Sequence, residues 1–148
     1  MTVVNASIEI AVAPDVVFAT ILDPNRLADW VTIHRSVKVK SANPTAEGSE
    51  MDQVLSLHGL SVTIHWTLTS VQAPTEAQWH GRGPAGSRAA IRYCLSGPAE
   101  GPTRFDYANE FTAPGGPIGK AASRVVVGPA SAREANRSLA KLKALLEH

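Results

Sequence analysis

Across the middle of the chain, apolar and polar residues take turns one for one. In "LSVTIHWTL", Leu60, Val62, Ile64, Trp66 and Leu68 fall on one side, and Ser61, Thr63, His65 and Thr67 on the other. "EMDQVLSL" groups Met51, Gln53, Leu55 and Leu57. "SRAAIRYCL" sets Ala89, Ile91, Tyr93 and Leu95 against Arg88, Arg92 and Cys94. "TRFDYANEF" sets Phe105, Tyr107, Asn109 and Phe111 against Arg104, Asp106 and Glu110. Near the start, Val4, Ile8, Ile10 and Val12 oppose Asn5, Ser7 and Glu9. Period-two alternation predicts antiparallel strands with one face on a core and the other in water, because buried parallel strands are apolar on both faces. "NPTAEG", "APTE" and "GPAEGP" stand between these runs as turn signals.

Three stretches change period. "APDVVFATILD" places Pro14 in a first turn and Val17, Phe18, Ile21 and Leu22 at helical spacing. "DPNRLADW" repeats the device, with Asp23 as cap, Pro24 at the start, and Leu27 and Trp30 facing inward. After "APGGP", a long C-terminal helix is predicted from Ile118, Ala122, Val125, Pro129, Ala132, Ala135, Leu139, Leu142 and Leu146, with a kink at Gly128-Pro129. Its last turns carry leucines and its middle carries alanines. Laid across a sheet, the small residues leave volume unfilled, either as a ligand cavity or as space taken up by Trp66, Trp79, Phe105 and Tyr107.

"GRGPAG", residues 81–86, matches the glycine fingerprint of dinucleotide-binding folds, and Asp106 stands where such folds keep a ribose-binding acid. The fingerprint needs a helix opening on its last glycine. Here strand "EAQWHG" precedes it, strand "SRAAIRYCL" follows, and Pro84 removes an amide. The glycines are better read as allowing a bend, a bulge or the close approach of another group.

Composition narrows the function classes. The 148 residues suit one domain, 1–148, and a net charge of +1 gives no electrostatic case for nucleic acid or an anionic membrane. No apolar run reaches the roughly 18 residues of a spanning helix, and "MTVVNASIEI" does not read as a signal peptide. The single cysteine, Cys94, forms no internal disulfide, so a cytoplasmic protein is expected. The terminal "LEH" resembles the scar of an expression tag, so Glu147 and His148 carry no inference here.

The order of elements resembles the START-like, helix-grip superfamily, most closely its polyketide cyclase/dehydrase and lipid-transport branch. "IEIAVAPDVVFATILDPNRLADW" is similar to the branch's opening, "GRGPAG" with "YCLSGPAEGPTRFDYANEF" to its central strands, and "SLAKLKALLE" to its closing helix. The resemblance implies an α+β helix-grip fold. In that fold a curved seven-stranded antiparallel sheet wraps a long C-terminal helix, two short helices follow the first strand, and an apolar cavity lies between sheet and helix. Members include aromatase/cyclases and lipid or quinone binders.

The leading expectation is therefore a protein that binds a hydrophobic or amphipathic small molecule, as a monomer or weak homodimer. The alternative is a polyketide cyclase/dehydratase acting in the same cavity; its usual inward arginine is missing from the strands, although Arg82 or Arg124 could reach a rim. Expected ligand contacts are Trp30, Gln53, Leu55, Trp66, Leu68, Trp79, Ile91, Phe105, Phe111, Ala122 and Val125. By the alternation, no inward strand position carries an acid, a base or a histidine; the polar groups there are Gln53, Tyr93, Tyr107, Asn109 and Thr103. Tyr93 and Tyr107 qualify as proton donors where a neighbour lowers their pKa, and also as tyrosines that simply cap a core. Asn109 can orient a carbonyl. His34, in the segment the family places near the cavity mouth, is the candidate general acid or base, or else an exposed turn residue. His58, His65 and His80 read as surface. No metal-ligand spacing or nucleophilic triad stands out, and neither cofactor nor metal is expected.

Overall fold

The computed structural model describes residues 2–57, 59–112 and 129–147. Strands β1 (Thr2–Ile10), β2 (His34–Val39), β3 (Glu50–Leu57), β4 (Leu60–Gln72), β5 (Glu76–Arg82), β6 (Arg88–Ser96) and β7 (Thr103–Thr112) form one antiparallel sheet. Helices α1 (Pro14–Leu22) and α2 (Leu27–Trp30) separate β1 from β2, and α3 (Pro129–Glu147) closes the described chain. The α+β helix-grip expectation holds. The sequence-predicted kink at Gly128, and Ile118, Ala122, Arg124 and Val125, lie outside the described residues, as does His58.

Strand order is β1-β7-β6-β5-β4-β3-β2, so the first two strands are opposite edges. They are six strand spacings apart, about 29 Å along the sheet. The crossing segment is helical, with Pro14 in the first turn of α1 and the Asp23 carboxylate accepting from Asn25 N at 2.9 Å to start the next turn. Val17, Phe18, Ile21, Leu22, Leu27 and Trp30 are buried by this crossing.

Every strand with clean alternation keeps its expected inner face. Trp66 stands opposite Met51 and Gly81, Leu68 opposite Trp79, Trp79 opposite Ile91, and Ile91 opposite Asn109. Strand β2 was not apparent from the alternation, because only Val37 and Val39 punctuate its polar residues. A register irregularity between His34 and Ser36 brings His34 opposite inward-facing Leu55. His34 is thus on the inner face of a strand, which corrects the expectation that no inward strand position carries a titratable group and sets aside the alternative of an exposed turn histidine.

Gly81 shows why a glycine interrupts β5. A Cβ there would come within 2.7 Å of Ile64 Cγ2 and of two Trp66 ring carbons, so the indole lies against bare backbone. The rest of "GRGPAG" is a 3₁₀ turn at Pro84–Gly86, with Ala85 and Gly86 at φ of 57° and 79°, leading directly into β6. The chain enters a strand where a nucleotide fold would open a helix.

Helix α3 packs on β1 and α2. Leu139 and Leu142 are buried and Leu146 is packed against the core, as the leucine-rich last turns predict. Polar contacts fix its middle and its C-terminal end. Lys143 Nζ donates to Glu9 O at 2.7 Å, Ala11 N donates to Glu147 Oε2 at 2.8 Å, and Thr32 N donates to Ser138 Oγ at 3.1 Å. Glu147, set aside above as tag-like, therefore helps dock the helix.

Candidate functional site

The inner face carries two side-chain groups, one aromatic and one polar. Tyr93 on β6 and Tyr107 on β7 are direct cross-strand partners, their ring centroids 6.1 Å apart and their planes tilted by 31°. Trp30 comes down from α2 edge-on to Tyr93 at 6.3 Å and to Phe105 at 6.4 Å, and Tyr93 meets Phe105 at 5.4 Å and 88°. Such edge-to-face geometry is the favoured arrangement for aromatic rings.

Two polar atoms in this interior have no hydrogen-bond partner among the described residues: Trp30 Nε1 and Asn109 Oδ1. Trp30 is only 2% exposed. Buried polar groups are rarely left unpaired, because desolvation is then uncompensated. Burial pushes the Tyr107 phenol up to about 12, with a hydrogen bond from Asn109 pulling weakly the other way. The Tyr93 phenol is pushed up further, by burial first and by Tyr107 second. The condition set for proton donation, a tyrosine pKa lowered by a neighbour, is not met. Both hydroxyls keep their protons at neutral pH and act as hydrogen-bond donors rather than as bases.

The second group joins β2, β3 and β4. Trp66 Nε1 donates to Gln53 Oε1 at 2.9 Å, and Gln53 Nε2 lies 2.9 Å from His34 Nδ1. Burial holds the His34 pKa below its ordinary value. Gln53, expected as an inward polar group in contact with ligand, is the hub of this chain. His34 is four strand positions from Tyr93, about 19 Å along the sheet. The four residues proposed for catalysis thus form two places: Tyr93, Tyr107 and Asn109 in one, His34 in the other.

Of the expected ligand contacts, Trp30, Gln53, Trp66, Leu68, Trp79, Phe105 and Phe111 are buried, while Leu55 and Ile91 are half-buried against the core. Thr103 is taken up by the fold, its hydroxyl donating to Val12 O at 2.7 Å. Ala122 and Val125 lie outside the described residues.

Arg82 does not approach the inner face. It stands opposite His65 on the outer face and lines a recess of 180 Å³ with Lys40, Glu50, Met51, Asp52, His65 and Trp66. There Asp52 holds a short hydrogen bond with His65 Nδ1 and an ion pair with Lys40 at 3.1 Å. The His65 contact, first, and Lys40 hold the Asp52 carboxyl below its ordinary range. His65 and His80 are exposed, as expected. Among the described residues, no three of His, Cys, Asp or Glu are grouped to hold a metal ion.

Known proteins share this plan. The family described as "Polyketide cyclase / dehydrase and lipid transport" matches residues 1–147. The chain belongs to this family. An uncharacterized protein of Mycobacterium tuberculosis is 24% identical over 130 residues, covering 86% of this chain and 90% of the relative. A conserved protein from Geobacillus kaustophilus superposes with a TM-score of 0.74 at 16% identity, covering 98% of this chain and 95% of its own. A START superfamily protein from Mycobacterium smegmatis gives 0.70 at 14% identity, covering 97% and 96%. At these identities the structural likeness concerns the fold. Membership in the polyketide cyclase/dehydrase and lipid-transport family suggests ligand binding. Among the described residues, no helix is long and apolar enough to cross a membrane.

Proposed function

We propose that the protein binds a hydrophobic or amphipathic small molecule, lipid-, polyketide- or quinone-like, between the inner face of the sheet and the C-terminal helix. The observation that carries this reading is the buried indole N–H of Trp30, unpaired among the described residues and set amid aromatic rings. An unsatisfied buried donor costs about 1–3 kcal/mol, which an acceptor oxygen on a bound molecule would recover. Asn109 Oδ1 offers the complementary acceptor. The lone cysteine fits a reducing cytoplasm as the place of action.

Native mass spectrometry of protein purified from its own host tests this. A stoichiometric apolar passenger is the expected result, and Trp30→Phe, which keeps the ring and removes the donor, should weaken its retention about fivefold. Protein that is empty and also resists polyketides, fatty acids and quinones would overturn the reading in favour of a filled core.

A cyclase/dehydratase acting on the same bound molecule is the second reading. It is favoured by the adjacent Tyr93 and Tyr107, whose retained protons suit them to polarising a carbonyl. On this reading Tyr107→Phe spares binding and abolishes turnover; unchanged turnover removes Tyr107 from the chemistry.

A further inference from the structure

The state of His34 follows from Trp66. An indole N–H only donates, so the Gln53 atom that receives it at 2.9 Å is the amide oxygen. The atom 2.9 Å from His34 Nδ1 is then the amide nitrogen, which also only donates. His34 Nδ1 must therefore offer its lone pair. Turning the amide over would set two N–H groups against each other at Trp66, with Gln53 only 6% and Trp66 only 5% exposed. A neutral imidazole has one donor and one acceptor nitrogen, so the proton resides on Nε2. No described residue hydrogen-bonds that Nε2, and the side chain is half-buried on the inner face of an edge strand.

We propose that the Trp66–Gln53 relay locks His34 as its Nε2–H tautomer, making it a hydrogen-bond donor that selects ligands carrying an acceptor oxygen. The selecting role rests on the ligand-binding reading above; the lock does not. A general base needs a free lone pair, and here the only one is engaged by Gln53. The lowered pKa keeps the ring neutral near pH 7, so the donor is an uncharged N–H. A ketone, quinone or ester oxygen suits it, and a hydrocarbon of the same shape gains nothing from it.

Proton–nitrogen NMR of the His34 ring at about pH 8, well above the ordinary histidine value, tests the lock without any ligand. The expected spectrum has Nε2 protonated and Nδ1 bare. A protonated Nδ1, or a rapidly exchanging mixture, would overturn it. Gln53→Glu puts an acceptor opposite Nδ1 while still serving Trp66, so this variant should move the proton to Nδ1; an unmoved proton would also overturn the relay. The selecting role is tested with benzophenone and its carbonyl-free counterpart diphenylmethane, titrated by calorimetry. Wild type should prefer benzophenone about fivefold, and His34→Phe and Gln53→Glu should each abolish the preference. A preference that persists in His34→Phe overturns the donor role. If wild type binds neither compound, the selecting role is overturned, while the ligand-binding reading is decided by the passenger measurement above and the NMR result stands by itself.

Discussion

On the β6–β7 side of the inner face, Trp30, Tyr93, Phe105 and Tyr107 meet through ring edges. On the β2–β4 side, Trp66, Gln53 and His34 meet through directed hydrogen bonds. Ring contacts are forgiving in direction and rich in buried area, so the aromatic side contributes shape and cohesion. Among the described residues, Trp30 Nε1 and Asn109 Oδ1 have no hydrogen-bond partner there. The relay side is the reverse. Its indole N–H is satisfied, its amide is oriented, and the orientation passes to a titratable ring. One side coheres through ring edges; the other carries a fixed orientation to a titratable ring.

Removing cohesion from the aromatic side should have the largest effect. Phe105 is fully buried and touches both Trp30 and Tyr93. Phe105→Ala should cost about 3–5 kcal/mol in urea unfolding, through lost transfer energy and the cavity left behind. A loss under about 1 kcal/mol would mean that the aromatic side collapses freely and holds no defined shape.

The boundary between the two sides gives a smaller, sharper effect. Gly81 lies under the Trp66 ring, and the ring supplies the donor that begins the relay. Gly81→Ala should cost about 1–3 kcal/mol by overpacking, since the added methyl meets ring carbons at 2.7 Å. Because the ring must shift, the His34 ring spectrum should change too, whereas Phe105→Ala should leave it alone. Equal disturbance from both variants would erase the distinction between the sides.

Most of the aromatic side was legible beforehand. Tyr93, Phe105 and Tyr107 stand on strictly alternating strands, and alternation alone assigns them inward. The relay was not legible, for two physical reasons. β2 is a polar edge strand, half-solvated and irregular at His34, so its side-chain period carries little apolar signal; Val37 and Val39 alternating with Lys38 and Lys40 were the available clue. The link between Gln53 and Trp66 depends on which strands pair and in which register, and sequence periodicity is silent on that. The choice between a tyrosine lowered by a neighbour and one that caps the core stayed open for a related reason: burial decides it, and burial depends on the depth of the site.

The relay side should announce itself in the pH dependence of stability. His34 has a folded pKa below the ordinary 6.5 because burial disfavours its charged form. As pH falls below 6.5 the unfolded chain takes up a proton at this ring before the folded chain does. Stability from this group is therefore complete above that value and is lost on acidification, until the folded ring also protonates. Asp52, held low chiefly by His65, acts in the same direction but only below its ordinary 3.8, so the two windows separate. Urea midpoints measured between about pH 7.5 and pH 5 should fall more steeply for wild type than for His34→Phe, with the curves parallel above neutrality. The ring is half-exposed, so the difference is the smallest of the three. Its sign is what matters. A wild type that gains stability relative to His34→Phe on acidification would mean that His34 prefers its charged form in the fold, and an Nδ1 that holds a proton is incompatible with an amide N–H facing it.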